Sequence, residues 1–257
     1  MTGDLHVRRP LRDERHFRRG LYLLPTIFTV GNMFCGYACV IFAMRGELSI
    51  AAPFVGVAVV LDMLDGRIAR LTKTSSAFGL ELDSLADVIS FGIAPAMLAF
   101  AWGLSDLGRF WWAAGFVYVT AAAMRLARFN LTTTAQVDKR YFIGMPSPAA
   151  AGLIASTVFA WPDQLVGIAR AVAAVTIVLA PAALMVSTLR FRSFRTINLG
   201  WTQSYIQIII VAAAMAAIAT APHIALVVLA YGYLLSAFIE EGLARYRLRR
   251  NEPPPVA

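Results

Sequence analysis

Charge is what this sequence has least of. Only 15% of its 257 residues are Asp, Glu, Lys or Arg, whereas a soluble domain carries about 25%. No polar stretch is long enough for a separate soluble domain, so the chain is better counted in apolar spans of roughly 20 residues. Cysteine is scarce too. Cys35 and Cys39 lie four apart inside an apolar stretch, a spacing that suits neither a zinc site nor a disulfide framework. They read as small packing residues on one helix face. The three histidines, His6, His16 and His223, are too scattered to form a catalytic constellation. No internal repeat of fixed period is present.

What remains is a chain that is 59% apolar, with a net charge of +8. The basic residues sit beside apolar runs, which is the pattern of membrane orientation and attraction to anionic lipid. It is not the pattern of nucleic-acid binding. Residues 1–20 form a basic arm carrying Arg8, Arg9, Arg12, Arg15, Arg18 and Arg19. No short apolar core with a small-residue cleavage site follows, so the arm is not read as a signal peptide.

Eight apolar segments follow, at roughly 21–44, 48–69, 82–103, 110–129, 146–162, 165–187, 203–220 and 223–241. They predict an all-α, polytopic transmembrane bundle over residues 21–241, with a basic, Pro-rich tail at 242–257. One set of ends carries Arg67, Arg70, Lys73, Arg125, Arg128, Lys139, Arg140, Arg190, Arg192, Arg195 and the terminal arginines; the other carries only Arg45 and Arg109. By the positive-inside rule both termini face the cytoplasm.

Five of the fifteen acidic residues fall between positions 62 and 87. An Asp within a span costs about 2.5–3.5 kcal/mol on insertion scales, so each needs a reason. Asp62 and Asp65 are i,i+3 at the end of the second segment. Asp83 and Asp87 are i,i+4 at the start of the third. Each pair shares a helix face, and the short connection lets the two faces meet. Four converging carboxylates repel unless cations join them. Hard oxygen donors without His or Cys favour magnesium or manganese. Two such cations suit a diphosphate substrate, and Asp87, the deepest, is the candidate base. Gly66 and Ala69 leave room for a flat nucleotide, and Gly79 gives freedom at the third segment. Arg70 and Lys73 can offset phosphate charge. Thr74, Ser75 and Ser76 offer hydroxyls. Glu81 is either a partner behind the ligands or a solvated residue.

These residues carry a resemblance. Asp62-x2-Asp65-Gly66-x2-Ala69-Arg70-x8-Gly79-x3-Asp83-x3-Asp87 matches every fixed position of the CDP-alcohol phosphotransferase signature. The resemblance implies a six-helix core, a dinuclear metal site, and transfer of a phosphatidyl or similar group from a CDP-linked donor to an alcohol. It implies that Asp62, Asp65, Asp83 and Asp87 are ligands, with Asp87 also the base. Gly66, Arg70 and Ser76 become contacts to the CDP donor. Thr29 matches a family threonine and becomes a further contact to the CDP donor, while Thr26 stands where the family often has Asn. A homodimer is implied by the resemblance alone.

The stretch 79–96 (GLELDSLADVISFGIAPA), together with 25–32 (PTIFTVGN), 125–130 (RLARFN), 139–152 (KRYFIGMPSPAAAG) and 189–194 (LRFRSF), resembles the serine-accepting integral-membrane branch, the phosphatidylserine synthases. That resemblance implies CDP-diacylglycerol and L-serine as substrates in the inner membrane. The serine carboxylate calls for a cation, and Arg125, Arg128, Lys139 and Arg140 are on the correct side. Asn130 and Ser147 are further polar candidates. Pro146 and Pro148 predict a rigid start to the fifth segment. Two alternatives stay open: another acceptor, such as glycerol 3-phosphate or an inositol phosphate, and a cation transporter using the carboxylates.

Overall fold

The computed structural model describes residues 12–72, 76–103, 109–133, 141–163, 167–192 and 204–251. Helix α1 spans Arg12–Met44, and α2 spans Leu48–Thr72. A third rod runs from Ala77 to Gly103. It comprises α3 (Ala77–Asp87), a π-helical turn (Val88–Ile93) and α4 (Ala94–Gly103). Then come α5 (Arg109–Thr133), α6 (Ser147–Ala160), α7 (Ile168–Val186), α8 (Ser204–Thr220) and α9 (Pro222–Asn251). Every apolar segment read from the sequence is a helix or a continuous helical rod. The basic arm is no separate element from Arg12 onward, because α1 runs through it unbroken. Likewise α9 continues through 242–251.

Four of these helical runs are long and apolar enough to cross a membrane: Pro25–Met44, Leu48–Thr72, Ala77–Gly103 and Pro222–Ile239. Their exposed residues agree with that. Ile27, Phe34, Leu71, Ile224 and Val228 are each more than 60% exposed. Such a surface would aggregate in water but is at home in hydrocarbon. The interior is built from small residues, including Cys39, Ala43, Ala51, Ala52, Ala58, Ala94, Ala150 and Ala151. Small residues let helix backbones approach closely, the usual basis of helix packing in lipid. Both cysteines are free and buried, as packing residues should be.

A close helix–helix approach lies at Gly36 on α1. A Cβ there would stand 2.6 Å from Ser90 Oγ and 2.8 Å from Ser90 Cα. Only glycine lets α1 seat against the π-turn. That turn widens the helix and rearranges its backbone bonds. Tyr118 on α5, fully buried, donates to the Phe91 carbonyl at 3.2 Å.

One feature departs from the all-α expectation. Strand β1 (Tyr141–Ile143) pairs antiparallel with β2 (Arg190–Arg192), with Phe142 opposite Phe191. Gly144 follows at φ +85, and a Cβ there would collide with the Met185 carbonyl. The Gly144 N–H donates to Leu189 O at 2.8 Å and the Met145 N–H to Leu184 O at 3.0 Å. Two stretches far apart in sequence, 139–152 and 189–194, are thus joined through their described residues. Pro146 then caps α6 and Pro148 lies in its first turn, the expected rigid start.

Candidate metal centre

The aspartates come from two helix ends. The C-terminal turns of α2 carry Asp62 and Asp65; α3 carries Asp83 and Asp87. Carboxylate oxygens of Asp62, Asp83 and Asp87 all lie within 4.8 Å of one another. Asp65 is buried, at 4% exposure, and interacts electrostatically with Asp62 and Asp83. The structure thus gathers all four on one site.

Helix α1 closes the inner side. Thr29 Oγ1 lies 3.1 Å from Asp65 Oδ2 and equally far from the Pro25 carbonyl. Its single proton serves one acceptor at a time. Asn32 Nδ2 lies 3.5 Å from Asp87 Oδ1. Sequence reasoning did not single out Asn32 as a site residue. The signal was there: a polar residue one turn beyond Thr29, on the buried stripe that continues through Cys35 and Cys39.

Helix α5 supplies a cation on another side. Arg125 interacts electrostatically with both Asp87 and Asp62. Its Nη1 donates to Ser147 Oγ at 2.7 Å, and its guanidinium carbon lies 5.7 Å from the Phe129 ring centroid, within cation–π range. Ser147 is 2% exposed. Asn130 Nδ2 donates to Ser84 Oγ at 2.9 Å and so ties α5 to α3.

The remaining expected residues form the rim. Gly66 faces open space, since a Cβ there would meet only Arg70 Nη2, at 3.9 Å. Ala69 is half-buried and Arg70 exposed. Ser76 Oγ caps α3 by accepting from the Gly79 N–H at 3.0 Å. Arg128 and Glu81 are exposed. Lys73, Thr74, Ser75, Lys139 and Arg140 lie outside the described residues. His223 stacks on Phe159 and approaches its carbonyl at 3.1 Å, at the opposite end of the bundle.

The donor set fits divalent cations. Asp83 Oδ1 is buried with no hydrogen-bond partner among the described residues, a costly state for a carboxylate unless something positive joins it. Three converging oxygen donors without His or Cys suit magnesium or manganese.

Comparison with known proteins agrees with this chemistry. The family model for CDP-alcohol phosphatidyltransferases matches residues 22–189. A Helicobacter pylori protein named CDP-diacylglycerol–serine O-phosphatidyltransferase is 45% identical over 134 residues, covering 52% of this chain and 56% of that protein. A Saccharomyces cerevisiae protein of the same name is 40% identical over 158 residues, covering 55% and 56%. A Bacillus subtilis protein, again so named, is 31% identical over 172 residues, covering 67% of this chain and 91% of that one. The chain therefore spans little more than half of the Helicobacter and yeast proteins, but nearly all of the Bacillus one.

Proposed function

The chain belongs to the CDP-alcohol phosphatidyltransferase family, and from that premise we propose that it transfers the phosphatidyl group of CDP-diacylglycerol to the hydroxyl of L-serine. The products are phosphatidylserine and CMP. The observation that carries the proposal is the convergence of Asp62, Asp83 and Asp87 within 4.8 Å, beside Asp65. The names of the relatives support serine as the acceptor.

Asp62, Asp65, Asp83 and Asp87 would hold two divalent cations, magnesium or manganese. When bound, these would offset the charge of the carboxylates and of the donor diphosphate. The open flank at Gly66 and Ala69 admits the cytidine. Arg70 offsets charge on the departing CMP, and Ser76 and Gly79 shape the donor side at the start of α3. Thr29 steadies Asp65. Asp87 takes the proton from the serine hydroxyl. The serine oxygen then forms its bond to the phosphorus that bears diacylglycerol, and the bond from that phosphorus to CMP breaks.

Arg125 receives the serine carboxylate. Among the four cations expected to do so, it is the one with a described place beside Asp87. With the aspartate charges matched by cations, its guanidinium is free to pair with a carboxylate, and Ser147 and Phe129 hold its plane. Arg128, Lys139 and Arg140 add positive charge for anionic lipid and the incoming acceptor.

The wider arrangement follows the sequence reading. Eight spans, a six-helix core, cytoplasmic termini and an inner-membrane location with a cytoplasmic site are parts of the same proposal, as is a homodimer. CDP-diacylglycerol then reaches the site laterally from the lipid, and serine from the cytoplasm.

The test is an acceptor panel on purified protein with labelled CDP-diacylglycerol and magnesium or manganese. Serine-dependent CMP release is expected, and Asp87→Asn should abolish it. CMP release with glycerol 3-phosphate or an inositol phosphate but not with serine would replace the acceptor. Metal flux into liposomes without CDP-lipid turnover would replace the enzyme with a transporter.

A further inference from the structure

We infer that Asn32 is a positioning residue for Asp87: it holds one carboxylate oxygen so that the other is presented to the acceptor hydroxyl. The inference rests on the proposed role of Asp87 as proton acceptor.

Asn32 is 0% exposed, and the only other buried polar residue described on this helix is Thr29. Its neighbours along the buried stripe are small residues: Cys35, Cys39 and Ala43. An amide that merely fills space there is out of place, because a buried polar group needs partners. A structural amide satisfies both of its halves. Here only the donor half is engaged. Nδ2 faces Asp87 Oδ1 at 3.5 Å, while Oδ1 is buried with no partner among the described residues. The reverse orientation of the amide would set oxygen against carboxylate oxygen. The 3.5 Å separation is the long limit of a hydrogen bond, a range in which catalytic contacts commonly sit before substrate tightens them.

The backbone of the same residue is fixed as well. Ser90 Oγ, in the π-turn directly after Asp87, donates to the Asn32 carbonyl at 2.9 Å. The missing Cβ of Gly36 is what permits this approach. Asn32 is therefore held by the segment whose aspartate it meets, and the amide is aimed before any ligand arrives. Thr29 stands one turn earlier and meets Asp65. Helix α1 thus offers one neutral donor to each aspartate pair, a hydroxyl to α2 and an amide to α3. Neutral donors orient carboxylates without cancelling the charge needed for cations or for proton transfer.

Two variants test this in the purified full-length protein. Asn32→Ala removes the amide. Asn32→Thr is close to Asn in volume, but in a helix its hydroxyl bonds back to a carbonyl of the preceding turn, so it fills the space without reaching Asp87. Serine-dependent CMP release from CDP-diacylglycerol should show kcat lowered roughly 10–100-fold in both. KM for each substrate and the thermal unfolding midpoint should not change, and the loss of kcat should persist at saturating Mn2+. Wild-type kcat in either variant overturns the inference while leaving the proposed function intact. A loss of kcat in Asn32→Thr accompanied by a lower unfolding midpoint makes Asn32 a packing residue and also overturns it. Recovery of wild-type kcat at saturating Mn2+ assigns Asn32 to metal retention rather than to aiming the proton acceptor, and also overturns the inference. A wild-type protein that releases no CMP with any acceptor sinks the proposed function, and the inference with it.

Discussion

Thr29 and Arg125 approach the aspartates from different helices and should fail differently when altered. Thr29→Val keeps the shape of the side chain but removes the donor to Asp65. Groups that orient metal-binding side chains typically contribute about 10–100-fold to affinity or activity. A lower rate of CMP release and a higher Mn2+ requirement are therefore expected, read from Mn2+ titrations. Arg125→Ala removes the proposed carboxylate partner and leaves Ser147 without its donor. Hydrogen bonds to charged groups contribute about 1.5–3 kcal/mol, so KM for serine should rise at least tenfold. KM for CDP-diacylglycerol should hold, and steady-state kinetics with each substrate varied will separate the two. At this scale the sequence was informative where spacing speaks. The i,i+3 and i,i+4 aspartates announced their shared faces. It could not choose Arg125 over Arg128, because residues three apart share a helix face and only the neighbours of α5 show which of them meets Asp87.

Helix α1, the π-turn and the β1–β2 pairing are what turn those residues into a site. Gly36→Val would place atoms where Ser90 already stands. Overpacking of this kind costs about 1–3 kcal/mol, so the unfolding midpoint in detergent should fall. Activity should fall with it, since the displaced segment carries Asp87. Gly144→Val meets two penalties, a positive φ and the Met185 carbonyl. It should loosen the start of α6, where Ser147 holds Arg125, and raise KM for serine. Helices were legible here because runs of apolar residues have lengths that only spans explain. The third rod begins at Ala77, earlier than its apolar run from 82, because Ser76 caps it with a side-chain bond and the first turn need not be apolar. The π-turn and the strand pairing were not legible. Both depend on partners distant in sequence, Ser90 with Asn32 and Tyr141 with Arg192, and local pattern carries no record of such pairs.

Across the whole molecule, the site gathers at one end of the bundle. The C-terminal end of α2, α3, the C-terminal end of α5 and the start of α6 meet there, and the ends of α2 and α5 carry Arg67, Arg70, Arg125 and Arg128. The α1–α2 turn at 45–47 lies at the other end. The proposed topology sets the aspartates at the cytoplasmic surface. In inside-out vesicles a membrane-impermeant thiol reagent should label Ala77→Cys but not Glu47→Cys, and in right-side-out vesicles the reverse. Cys35 and Cys39 are buried and should stay silent. The central claim is narrower than the topology: a carboxylate site that works only with divalent cations on a CDP-linked lipid. It is tested most directly by CMP release from CDP-diacylglycerol and serine, measured against Mg2+ or Mn2+ concentration in wild type and in Asp83→Asn. The account predicts no release in chelator, recovery on adding either cation, and no recovery in Asp83→Asn at any concentration. Undiminished release in chelator, or wild-type release from Asp83→Asn, would contradict it.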